Sequence, residues 1–300
     1  MKQSNRVRKS FDKLATFLEV FRKDSLSVSK DEIAIVGKND YLFLYKGFNR
    51  YYQMYFDGDD LVQEMMRKWK VSINSWRESV ESKNATFFFI LIPNKATLLR
   101  DFYPLPLPKV GTQYLSLLTK IESIQVFSPE DTEDIFLRND THLSPKGNFE
   151  LARFMLNALN CNYDFGELIP KGFEKVVGDL GSKFKPAISE SVQYFENSNS
   201  AIKPKIVNDN SSEYLPERRI GISISFINSG APLKKSLKIF GNSFLGVASE
   251  YSSLWLLALA FENVTFHWSP VVLIEHIEEQ DIVIFQTCER FLGYSPDHWL

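Results

Sequence analysis

The run Phe87-Phe88-Phe89-Ile90-Leu91-Ile92, closed by Pro93, constrains the fold more than any other stretch of the chain. Six apolar residues in a row show no alternation, so a strand made from them is covered on both faces. That is the place of a central strand in a parallel sheet with helices on either side. Proline ends the run, which sets Asn94 and Lys95 just past the carboxyl end of the strand. Open α/β sheets hold their ligands along that edge.

The flanking sequence supports the same architecture. Ile33 to Val36 and Tyr41 to Tyr45 read as short strands about the turn Gly37-Lys38-Asn39-Asp40. Leu61 to Val80 suits a helix with Leu61, Met65, Trp69, Ile73 and Trp76 along one face. The acidic cluster Asp57-Gly58-Asp59-Asp60 before it lacks the ligand spacing and closing glutamate of a calcium loop, and fits a helix N-terminus instead. Thr112 to Ile121 follows as a helix and Ile124 to Phe127 as a strand. Ser144 as N-cap and Pro145 at the first helical position open a helix running to Leu159.

From Ser236 onward, strand and helix alternate again. The spacing predicts a strand to Phe240, a tight turn at Ser243, a helix from Phe244 to Phe261 and a strand from Val264 to His267. A helix from Val271 to Glu279 and a strand from Ile282 to Phe285 complete the series. Between these blocks, Tyr163 to Pro216 is polar and irregular, and Arg218 to Ile227 alternates like a half-buried strand. The expectation is an α/β domain over residues 31–300, interrupted by an inserted β-rich subregion at about 164–230.

Composition narrows the function classes. Three hundred residues with 44% hydrophobic content bury a sizeable core, and a net charge of −2 gives no reason to expect a nucleic-acid partner. The two cysteines, Cys161 and Cys288, read as buried thiols. With four histidines besides, no dedicated transition-metal site is expected. Residues 1–30 carry a basic start and then Phe11, Leu14, Leu18 and Phe21 at helical spacing, an amphipathic helix without the apolar core of a signal peptide. Packing on its own domain is the favoured reading, with docking on a membrane surface or a biosynthetic complex as the alternative. A cytoplasmic location is expected, or a periplasmic one if the sequence is a piece of a longer chain.

The chemistry concentrates in two stretches. Leu237-Lys238-Ile239-Phe240 runs into Gly241-Asn242-Ser243, which sets a hydroxyl on a strand-to-helix turn. Upstream, Asp140 and His142 lie two residues apart in a polar loop. An aspartate bonded to one imidazole nitrogen leaves the other free to take a serine proton.

These residues resemble the AlgJ/AlgX-like alginate O-acetyltransferases, a group of SGNH-hydrolase-like proteins. Gly241-Asn242-Ser243-Phe244 is similar to their Gly-Asp-Ser-Phe motif, with asparagine in place of aspartate, and Asp140-Thr141-His142 to their Asp-Thr-His motif. Gly37 to Phe43, Ile92-Pro93-Asn94-Lys95-Ala96-Thr97, Gly178-Asp179-Leu180 and Glu289-Arg290-Phe291-Leu292 have counterparts in the same order. The resemblance implies an SGNH-like parallel sheet with its sequence blocks permuted, the Asp/His block coming first. It also implies a serine-dependent O-acyltransferase, an O-acetyltransferase acting on a polysaccharide or glycan precursor. Ser243 would be the nucleophile, His142 the base and Asp140 its orienter. Asn242, Asn94 and Arg290 are oxyanion or substrate-binding candidates, and Lys95 a cation for an anionic sugar or donor phosphate. No bound cofactor is expected, only an acyl donor and a carbohydrate acceptor. Two rival readings are a carbohydrate O-acetylesterase and a non-catalytic polysaccharide-binding protein on the same fold.

Overall fold

The computed structural model describes residues 26–47, 50–108, 111–121, 124–197, 203–215, 219–246, 249–279 and 281–299. The amphipathic stretch expected near the N-terminus lies outside them. Strands β1 (Ala34–Val36) and β2 (Leu42–Leu44) pair antiparallel across a single turn of 3₁₀ helix. Helix α1 (Asp59–Glu81) starts behind Gly58 with Asp59 and Asp60 in its first turn, where the unpaired N–H groups favour negative charge. Its buried stripe is Val62, Met66, Trp69, Ile73, Trp76 and Val80. The stripe therefore begins one residue later than the sequence pattern suggests, with Leu61 and Met65 at its margin. Asp57 is buried and closed off by Arg50 at 2.7 Å and the Tyr114 hydroxyl at 2.8 Å.

Strand β3 (Thr86–Ile92) is followed by a single turn, α2 (Lys95–Leu98), by α3 (Gln113–Leu118) and by strand β4 (Ile124–Val126). Helix α4 (Pro145–Ala158) is capped as its sequence dictates, the Ser144 hydroxyl accepting from the Gly147 N–H at 3.0 Å. Strands β5 (Leu168–Val176), β6 (Glu190–Asn197), β7 (Lys205–Asp209), β8 (Ser223–Ile227) and β9 (Leu233–Gly241) lead to helix α5 (Ser253–Ala260). Strands β10 (Phe261–Trp268) and β11 (Ile282–Cys288) follow.

Among the described residues the main sheet runs β4-β3-β11-β9-β10-β8-β7. The first five strands pair in parallel, β8 pairs antiparallel with β10, and β7 antiparallel with β8. Every position of β11 is buried. Ile90 and Ile92 of β3 pack with α4 and α5 on one face, while Phe87, Phe89 and Leu91 pack with α1 and α3 on the other. Both faces are covered, as an unbroken apolar run requires.

Three expectations are corrected. The stretch at about 164–230 divides in two: β5 and β6 form a separate antiparallel pair, whereas β8 and β7 extend the main sheet beside β10. The helix expected straight after Ser243 begins at Ser253, because the Ser252 hydroxyl caps it by accepting from the Trp255 N–H at 3.1 Å. Upstream of that cap, Gly246 packs close against the Trp268 ring, where an added Cβ would come within 2.6 Å. The helix expected from Val271 to Glu279 shrinks to a turn at Ile274–His276. Its β-branched residues resist helix formation, and Lys83 satisfies the Ile274 and Ile277 carbonyls at 2.8 and 3.0 Å.

Candidate active site

The Asp140–His142 loop is a narrow hairpin. Phe136 and Leu143 bridge antiparallel, and the Leu137 N–H donates to the His142 carbonyl at 3.2 Å. Asp140 Oδ1 lies 2.6 Å from His142 Nδ1 and also accepts the His142 backbone N–H at 2.9 Å. Asp140 Oδ2 accepts the Asp179 N–H at 2.8 Å. With a carboxylate on Nδ1, the ring proton belongs there and Nε2 is the basic nitrogen. That Nε2 atom is buried and, among the described residues, has no hydrogen-bond partner. Burial opposes the Asp140 charge, but the hydrogen bond and positive charge of His142, with the N–H groups of Asp179 and His142, outweigh it. The carboxyl is held below the usual carboxylate range.

Lys95 explains why the loop keeps this shape. Its ammonium donates to the carbonyls of Leu42, Leu137, Arg138 and Asp140 at 2.7, 2.6, 3.0 and 2.9 Å. The side chain is buried, and desolvation pushes it down to about 7 against the pull of Glu190, Asp140 and Asp179. Expected as a cation for substrate, Lys95 is instead a brace beneath the loop, fully engaged by the backbone. Glu190 reinforces the brace by accepting the Arg138 and Asn139 N–H groups at 3.0 and 2.8 Å.

Ser243 sits half-buried on a turn closed by the Leu245 N–H to the Asn242 carbonyl at 3.1 Å. Ser243 is expected at the N-terminus of a long helix; the helix, α5, starts only at Ser253, so its dipole does not act on the serine. Asn242 shapes the turn. Its Oδ1 accepts the Phe244 N–H at 3.3 Å and the Gln286 amide at 3.4 Å, and its backbone N–H donates to Gln286 Oε1 at 3.3 Å. At Gly241 a Cβ would come within 2.7 Å of that same Oε1 and 3.0 Å of the Gln286 carbonyl, so glycine lets the turn lie close to β11. Gln286, fully buried in β11, is a site residue the sequence reading missed. Its signal was available: a lone amide inside an apolar strand needs a partner.

Phe244 joins the two halves of the site. Its ring centroid is 5.6 Å from that of His142 and 5.4 Å from the Arg290 guanidinium, which also lies 5.3 Å from Phe291. Arg290 is 7% exposed, and among the described residues no carboxylate pairs with it. Its neighbour Glu289 faces away, accepting the Asn94 N–H, the Thr97 hydroxyl and the Thr112 N–H at 2.8, 2.7 and 2.8 Å. Asn94 is thus tied to Glu289, with its amide on the Tyr55 hydroxyl at 3.4 Å.

No protein-family model and no curated protein sequence matches the chain. Solved structures do. The O-acetyltransferase domain of Pseudomonas putida AlgJ superposes with a TM-score of 0.54 at 14% identity, covering 88% of this chain and 94% of that one. The chain has the AlgJ-like fold. Bacillus cereus PatB1 shares it, with a TM-score of 0.58 at 14% identity over 87% of this chain and 98% of that one. A DHHW family protein from Eubacterium siraeum does so with a TM-score of 0.54 at 12% identity over 87% and 91%. In this AlgJ-like fold the Asp140–His142 loop stands before α4, and Ser243 follows β9.

Asp140, His142 and Asp179 bring ligand-type atoms within 4.8 Å of one another. Two donors about 2.1 Å from a tetrahedral metal ion stand roughly 3.4 Å apart. The 2.6 Å between Asp140 and Nδ1 is a hydrogen-bond length instead, so this cluster is shaped around a proton.

Proposed function

We propose that this protein is a serine O-acyltransferase, an O-acetyltransferase acting on a carbohydrate hydroxyl. The observation that carries the reading is the buried, unpartnered Nε2 of His142, oriented by Asp140 and set against the turn that bears Ser243. Ser243 Oγ attacks the carbonyl carbon of an acyl donor as its proton passes to His142 Nε2, which then protonates the departing group. The acyl-serine is resolved by an acceptor hydroxyl, whose proton takes the same route back to Ser243 Oγ. The negative charge on the attacked oxygen falls to the Ser243 N–H and to Arg290, the buried cation beyond Phe244. A missing oxyanion donor typically costs roughly 100- to 1,000-fold in rate. Support for acyl transfer to a sugar comes from the sequence motifs and from the fold shared with the AlgJ O-acetyltransferase domain.

The test is intact-protein mass after brief exposure to an activated acetyl ester, for the wild type, Ser243→Ala and His142→Ala. One acetyl adduct on the wild type, none on Ser243→Ala and about 1,000-fold slower formation on His142→Ala is the expected result. Candidate sugars then report whether the acetyl passes to a hydroxyl or to water, the latter making the protein an esterase. A wild type that takes no acetyl group, or equal labelling of all three proteins, overturns the assignment.

A further inference from the structure

Asp140 and His142 are not alone in their loop. Asp179, on the segment between β5 and β6, accepts the Thr141 N–H at 2.8 Å and the Thr141 hydroxyl at 2.5 Å. Its own N–H returns to Asp140 Oδ2 at 2.8 Å, and its Oδ2 stands 3.9 Å from His142 Nδ1. The two loops therefore clasp each other through the two residues that precede the histidine, Asp140 and Thr141. The approach is as close as backbone allows. A Cβ on Gly178 would lie 2.4 Å from the Asn139 carbonyl and 2.6 Å from Asp140 Cβ. The Gly181 N–H donates to the Asn139 carbonyl at 2.8 Å.

We propose that Asp179 is a positioning residue for His142, a second carboxylate that fixes Thr141 and stabilises the imidazolium formed when Ser243 is deprotonated. The inference rests on the acyl-transfer reading above and adds to it a group on a different loop. One carboxylate, Asp140, makes the direct hydrogen bond. The other acts from 3.9 Å through charge and through the backbone on which His142 is mounted. Such an arrangement helps the transition state more than the ground state, because the imidazole is neutral before attack and cationic during it. The clasp also exacts its cost in the right place. Desolvation where it faces the loop, followed by repulsion from Asp140, pushes the half-exposed Asp179 carboxyl above its ordinary range, so the pair is most comfortable when a positive imidazolium lies beside it.

The other charged groups around His142 bear on the same proton. Arg290 shares the Phe244 ring with it, its guanidinium 5.4 Å from that centroid, Lys95 bonds the Asp140 carbonyl, and Glu190 holds the Arg138 and Asn139 backbone. Both cations disfavour an imidazolium, which leaves the carboxylates of Asp140, Asp179 and Glu190 to oppose them.

Asp179→Asn tests the charge while keeping an acceptor for Thr141, and Asp179→Ala removes charge and clasp together. Each variant is first checked for a wild-type unfolding temperature to within a few degrees. In Asp179→Asn, kcat for acetyl transfer is expected to fall about 10-fold with KM unchanged. Removing a negative neighbour disfavours the imidazolium, so the acid limb of the pH profile should move to lower pH by about half a unit to one unit. The C2–H proton signal of His142 should titrate at correspondingly lower pH, a readout that needs no turnover. Asp179→Ala is expected to lose about 100-fold in kcat. An Asp179→Asn protein whose kcat, acid limb and His142 titration all match the wild type overturns the proposal. A wild type that forms no acetyl-Ser243 fails the acyl-transfer reading instead, while the His142 titration still reports whether Asp179 acts on the ring.

Discussion

Around His142 the backbone is pinned at short range: four carbonyls converge on Lys95 at 2.6–3.0 Å, and Glu190 and Asp179 take up N–H groups from the other side. Around Ser243, among the described residues, the N–H···O bonds are longer, 3.0–3.4 Å, and centre on Asn242 and Gln286, with the Asn242 amide 3.9 Å from Cys288 Sγ. The support there is apolar: Phe244 and Leu245 are buried, and Phe240 stacks on His267 at 5.3 Å. The difference suits the chemistry. A general base must hold its tautomer and direction before the proton arrives. A nucleophile must turn from its resting position towards the acyl carbon, so its turn tolerates looser bonds.

The comparison can be broken most severely at Lys95. Lys95→Met keeps the aliphatic stem but removes the ammonium that four carbonyls share, of which that of Arg138 keeps a backbone donor, the Leu42 N–H at 2.7 Å. We expect a loss of about 3 kcal/mol in stability and about 100-fold in the rate of Ser243 acetylation, measured by denaturant titration and mass spectrometry. If the rate is kept, the loop is held by its own hairpin and the polar brace is incidental.

Gln286→Leu strikes the serine side. The turn loses both hydrogen bonds to Gln286 and keeps the weak contact of the Asn242 amide with Cys288 Sγ at 3.9 Å, so the expected costs are smaller, about 1–2 kcal/mol and about 10-fold in acetylation. An effect larger than that of Lys95→Met would reverse the ranking of the two halves.

The smallest expected effect separates the halves by pH. Burial, with His276 and Lys238 close by, pushes His267 down from its ordinary 6.5 to about 4. The unfolded chain takes up this proton first, so stability is lost as pH falls from about 6.5 to about 4. Partial exposure of the ring limits the loss to about 1–2 kcal/mol. Asp140 keeps its charge through the same window, because its carboxyl is held below the usual range. Thermal unfolding across this range should therefore show a pH slope in the wild type that is shallower in His267→Gln. Equal slopes would mean that acid does not act beneath the serine strand.

Much of the frame was legible in the chain because its cause is local. The unbroken run from Phe87 to Ile92 could only be a strand covered on both faces, and it is flanked by β4 and β11 in the parallel sheet. Ser144-Pro145 announced a helix start, and the two-residue spacing of Asp140 and His142 lets the carboxylate reach both the ring and the backbone N–H of the same histidine. The errors arose where tertiary contacts override the local pattern. Apolar content from Phe244 to Phe261 suggested one helix, but a capping serine at 252 and the close packing of Gly246 against Trp268 set its start later. Lys95 followed a strand end and so resembled a ligand group; nothing nearby in sequence announces the carbonyls at 42, 137, 138 and 140 that absorb it.

The sequence alone determined the α/β alternation, the central strand and the pairing of Asp140 with His142, since periodicity, capping and short-range hydrogen bonds act between residues a few positions apart. Only the tertiary structure decided that Phe244 faces both His142 and Arg290, that Gln286 anchors the serine turn, and that Asp179 reaches Thr141 from another loop. Those contacts join segments tens to more than a hundred residues apart. Their partners are chosen by strand order and register, which no short stretch of chain encodes.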